Sequence, residues 1–70
     1  MVYAVIQQIN GSFTVKFEGS DLNQLEINFY NWIAALLGDS GEVKGVVKLV
    51  DENLDIVDGC IKFIDHPASE

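Results

Sequence analysis

Apolar and polar residues alternate over VYAVIQQI and again over SFTVKF, and the two runs meet at Asn10-Gly11. Asn-Gly between alternating runs marks a two-residue hairpin turn, because both turn residues must adopt positive φ. Such a turn fixes the register, setting Ile9 opposite Ser12, Gln8 opposite Phe13, Ile6 opposite Val15 and Ala4 opposite Phe17. Side chains alternate along a strand, so Val2, Ala4, Ile6, Phe13, Val15 and Phe17 share one face. Tyr3, Val5, Gln7, Ile9, Thr14 and Lys16 share the other. The first set is the expected core face.

The period then changes. In SDLNQLEINFYNWIAALLG, Leu22, Leu25, Phe29, Trp32, Ile33 and Leu36 recur at helical spacing, an apolar stripe wide enough to cover a sheet. Ser20 or Asp21 can cap its start, with Gln24 completing a capping box on Asp21, and Gly38 suits the position just past its end. The remaining face, with Asn23, Ile27, Asn31 and Ala34, carries no charge.

Beyond the GDSGE loop, EVKGVVKLV and LDIVDGCIKFI read as two more strands. An odd-length loop centred on Asn53 puts Val43, Gly45, Val47 and Leu49 on one face with Val57, Gly59, Ile61 and Phe63. It also sets Lys48 against Asp58 as a favourable cross-strand pair. The expected fold is therefore α+β: two layers in the order β-β-α-β-β, a four-stranded mostly antiparallel sheet covered on one face by a single helix. Residues 1–64 form the domain, and 65–70 are expected to be a flexible tail.

Composition narrows the function. A 70-residue chain buries only roughly 60% of its unfolded surface, so its core is marginal, and a single cysteine rules out an intrachain disulfide as reinforcement. The lone thiol, the lack of a long apolar run and strand-like residues directly after Met1 point to a soluble, cytosolic protein with no membrane association. Eleven acids against four lysines and no arginine give a net charge of −7. Direct nucleic-acid binding needs a basic footprint that is missing here, whereas a basic protein surface would be attracted.

Candidate chemistry is sparse. Asp51, Asn53 and Asp55 alternate as in the first half of a calcium loop, but that motif needs glycine at its sixth position and glutamate at its twelfth, where Ile56 and Lys62 stand. Hairpin-turn chemistry accounts for the same residues. His66 lies near the terminus beside Pro67 with no evident partner, and Cys60 has no basic neighbour to lower its pKa. Neither an enzyme nor a cofactor or metal is expected.

Two surfaces stand out. The expected outer sheet face is about half apolar, with Tyr3, Val5, Val46, Val50 and Ile56 as the candidate homodimer interface and lysines between them. Chain direction also gathers Glu18, Asp21, Asp51, Glu52, Asp55 and Asp58 at one end, a candidate partner-binding surface. The leading expectation is a small acidic binding protein, an inhibitor or regulator that docks a basic protein surface such as that of a nucleic-acid-binding protein. By size and charge alone, compact acidic chains of this kind occur among phage-encoded proteins. The alternative is an assembly subunit or homodimerisation module acting through the outer sheet face.

Overall fold

The computed structural model describes residues 1–68. Within them run β1 (Tyr3–Ile9), β2 (Ser12–Gly19), α1 (Leu22–Leu37), β3 (Val43–Asp51) and β4 (Ile56–His66). All neighbouring strands are antiparallel, in the order β2-β1-β3-β4, with α1 packed on one face. The α+β architecture and element order expected from the pattern are those observed.

Asn10 and Gly11 take φ of 51° and 83°, the two positive values that a two-residue turn requires. Asn10 also ties the turn to β3: its Nδ2 donates to the Glu42 carbonyl at 2.8 Å, and its Oδ1 accepts from the Lys44 N–H at 3.0 Å. Register follows the turn from Ile9↔Ser12 to Ile6↔Val15, then slips by one residue at Lys16. Phe17 therefore pairs with Val5 rather than Ala4, and joins the side opposite to Val15.

Asp21 caps α1, its Oδ1 accepting from the Gln24 N–H at 3.2 Å. The reciprocal half of the capping box is not made, because the Gln24 side chain donates along the helix to Asn28 at 3.1 Å. Gly38 ends the helix at φ −87°, so this end does not use the left-handed freedom of glycine. Leu25, Phe29 and Leu36 are buried, and Leu22, Trp32 and Ile33 pack against them, as the periodicity implies. Burying a side chain the size of Phe29 stabilises the fold by roughly 1.5–3 kcal/mol, so this stripe is what holds helix to sheet.

Two strands show the helix the opposite face from the one expected. Val5 (0% exposed) and Ile9 lie in the core with Tyr3 packed beside them, while Val2, Phe13 and Val15 are exposed. The turn sets register but not which face is covered. Gln7 is tolerated on the helix side because its Oε1 accepts from Trp32 Nε1 at 2.7 Å, which satisfies both polar groups. On β3 the expected set is buried: Val43, Val47 and Leu49.

On β4 the loop is centred on Asn53 as expected, since Val50 pairs with Ile56. Then Asp58 and Gly59, at φ 52° and 67°, bulge out, so that Lys48 meets Ile61 rather than Asp58. Cys60 and Ile64 turn inward, Phe63 turns out to solvent, and Gly59 leaves the core face. The strand also continues through His66, whose Nε2 lies 2.8 Å from the Asp39 carbonyl oxygen. Asp65 and His66 therefore belong to the sheet rather than to a tail, and residues 69–70 lie outside the described residues.

Candidate interaction surfaces

Residues directly opposite in an antiparallel ladder share a face, so the pairings assign the outer side of the sheet row by row. Phe13, Gln8, Val46 and Phe63 form one row across all four strands. The next row is Val15, Ile6, Lys48 and Ile61, and the third is Glu18, Ala4, Val50 and Ile56. The two phenylalanines stand on the edge strands, 64% and 75% exposed, with a shallow depression of about 40 Å³ beside Phe13 over Ile6, Gln8 and Val46. The outer face is thus a low trough between two aromatic walls.

Half-apolar character on this face matches the sequence reading, but the residues differ. Of the candidate interface set, Val46 and Ile56 do face outward, Ile56 at 42% exposure. Val50 is on the same side but covered by its neighbours, at 1% exposure. Tyr3 and Val5 lie on the helix side and cannot be reached from this face. Lys16 also leaves it, its Nζ resting 4.3 Å from the centroid of the Trp32 ring. Phe13 and Phe63, the most prominent groups on the surface, were assigned to the core from sequence. The bulge at Asp58–Gly59 moves Phe63, and only a signal for that bulge could have revealed it.

The acids converge by strand pairing. Tyr3 stands between Gly19 and Asp51, so the end of β2 and the β3–β4 turn adjoin the start of β1, with Asp21 capping the helix just beyond. Two of the six already serve locally. The Asp21 carboxylate is the helix cap, and Asp51 Oδ1 accepts from the N–H groups of Asn53 and Asp55 at 2.8 and 3.1 Å. The Asp51 carboxylate thus closes the β3–β4 turn, with Leu54 at φ 66° completing it. Among the described residues no group of three His, Cys, Asp or Glu side chains is poised around a metal position.

A further cluster was not legible in the sequence. The bulge brings Asp58 beside Glu26 of α1, and Cys60 Sγ lies 4.0 Å from Glu26 Oε1 and 4.0 Å from the Asp58 carbonyl. Hydrogen bonding to Asp58 raises the pKa of Glu26, with partial desolvation and the negative charge of Asp58 adding to it. Burial pushes the Cys60 thiol up, and the two carboxylates reinforce this, while a hydrogen bond with Tyr30 pulls the other way. The Tyr30 phenol is raised in turn, chiefly by Cys60. A raised thiol pKa leaves little thiolate at neutral pH, so the cluster is poorly suited to nucleophilic chemistry. Comparison with protein-family models, curated proteins and solved structures gives no match.

Proposed function

We propose that this chain is a non-enzymatic protein-interaction module, an assembly or dimerisation unit, whose working surface is the outer face of its sheet. The observation that carries this reading is the row from Phe13 to Phe63, which leaves two large aromatic side chains in water at the rims of an apolar face. Single exposed apolar residues are ordinary, but a contiguous patch on a one-sided sheet marks a contact surface. Each phenylalanine left exposed forgoes roughly 1.5–3 kcal/mol that burial would supply, and a domain this small has little stability to forgo.

The convergence of Glu18, Glu52, Asp55 and their neighbours favours a second reading, in which the acidic end docks a basic protein surface and the chain acts as an inhibitor or regulator. The sheet face is preferred because Asp21 and Asp51 already have local roles, whereas no local role accounts for the two phenylalanines. Neither reading calls for a cofactor, nucleic acid or a membrane.

A photo-crosslinking amino acid placed at position 63, 27 or 52 in the source cell distinguishes the surfaces. Crosslinked products from position 63, and not from the helix position 27, are the expected outcome. Products arising only from position 52 would move the working surface to the acidic end.

A further inference from the structure

We propose that the occupant of the outer sheet face is a second copy of this chain, bound face to face about a two-fold axis that runs along the strands between β1 and β3. This rests on the outer-face reading above and adds the identity and geometry of the partner.

Charge is the first support. Among the described residues, Lys44 and Lys48 balance Asp65 and Glu18 on this face, so the face carries no net charge although the chain carries −7. The face is therefore the part of an acidic molecule that a second acidic molecule can approach without net repulsion. A basic partner, by contrast, would gain nothing from charge there.

Shape and area are the second. A rotation about that axis lays β2 of one copy over β4 of the other and maps each row onto itself. Phe13 of one copy then stands against Phe63 of the other, twice, closing both rims of the trough at the roughly 10 Å spacing of packed sheets. Gln8 lies over Val46. Lys48 of one copy stands over Ile6 of the other, one strand and one row from that copy's Glu18, so its long side chain can reach a carboxylate that offsets the cost of covering the ammonium. Four strands at about 4.8 Å and some 25 Å of strand length give a footprint of roughly 500 Å² per copy. That is about a tenth of the chain's 4463 Å² surface and places the contact near the lower limit of specific interfaces. An interface of that size belongs to the class of weak, reversible contacts.

Sedimentation equilibrium on the full chain between about 5 and 200 µM tests this, with Phe13→Ser, Phe63→Ser, Lys48→Glu, Lys48→Glu/Glu18→Lys and the helix-side Ile27→Lys alongside. The wild type and Ile27→Lys should dimerise alike. One substitution removes two rings from a symmetric contact, so a fivefold loss per ring becomes about a twenty-five-fold weaker dissociation constant. Lys48→Glu should weaken the dimer, and adding Glu18→Lys should restore it. Far-ultraviolet circular dichroism should show the phenylalanine variants folded, since both rings are largely exposed. A wild type that stays monomeric at 200 µM overturns the proposal while leaving the outer face open to another protein, which crosslinks from position 63 would reveal. A dimer broken by Ile27→Lys and not by Phe63→Ser overturns both. A charge swap that fails to restore association overturns the stated two-fold.

Discussion

Replacing Gly45 by alanine should remove most of the stability of this domain. Gly45 lies in the middle of the sheet on β3, opposite Ile9 of β1 and Ile64 of β4, at φ +155°. An added Cβ would stand 1.8 Å from the Gln8 carbonyl oxygen, 2.9 Å from its carbon and 3.1 Å from Ile9 Cα. These are backbone atoms of a hydrogen-bonded neighbour, so no side chain can swing aside. Relief requires either rotating φ by some 65° to the antiparallel value near −140° or prising β1 from β3. Forcing a disfavoured conformation costs about 1–3 kcal/mol and overpacking a further 1–3, a total of about 2–6 kcal/mol. A 70-residue domain has only about 3.5–10 kcal/mol in all. Urea unfolding at one low protein concentration, followed by fluorescence of the single tryptophan, should show a midpoint lowered by 2 M or more, or no folded baseline. Gly59→Ala is the control, because its Cβ would meet nothing within 4 Å and the cost is only that of φ +67°, about 1 kcal/mol. If Gly45→Ala unfolds within a few tenths molar of wild type, the close approach of β1 and β3 is wrong.

Trp32→Phe should cost about 1–2 kcal/mol, because it strands the Gln7 amide on the helix side and leaves a smaller ring under Lys16; thermal unfolding measures it, and Gln7→Leu added to it should recover part of the loss. Asn10→Ala should cost about 1–2 kcal/mol in the same assay, through two lost bonds to β3 and a positive φ that alanine tolerates poorly. The folded pKa of Glu26 is raised above 4.5, so its stabilising contribution is full below that value and is lost as pH rises through the raised one. Glu26→Gln should therefore make the protein more stable at neutral pH and flatten its stability profile above pH 4.5, as urea midpoints across pH would record.

The element order was legible because each element announces itself locally: Asn10-Gly11 demands a turn, Asp21 a cap, and the run from Leu22 to Leu36 a one-sided helix. Which side of the sheet the helix covers was not. Both faces of β1 are apolar, and the polar Gln7 on the covered side is paid for by a bond to Trp32, a residue 25 positions away. A single irregularity at Asp58–Gly59 then reverses the rest of β4, which sends Phe63 outward and Cys60 inward. Asp58-Gly59 is the local sign of such a bulge, because both residues accept positive φ, but the alternation on either side reads equally well as an uninterrupted strand. The acidic end was legible from chain direction alone, since charges on turns keep their place whichever face the strands present. The Glu26, Asp58 and Cys60 cluster depends on the bulge and was hidden with it.

The outer face as the surface through which two copies associate is tested most directly by following backbone amide and aromatic resonances as the protein is concentrated from tens of micromolar to a millimolar. Shifts should grow along the row of Phe13, Gln8, Val46 and Phe63 and at Lys48 and Glu18, while Ile27, Tyr30 and Leu37 on the far side of the helix stay fixed. Resonances of that row that do not move, or movement centred on the helix, would contradict the account.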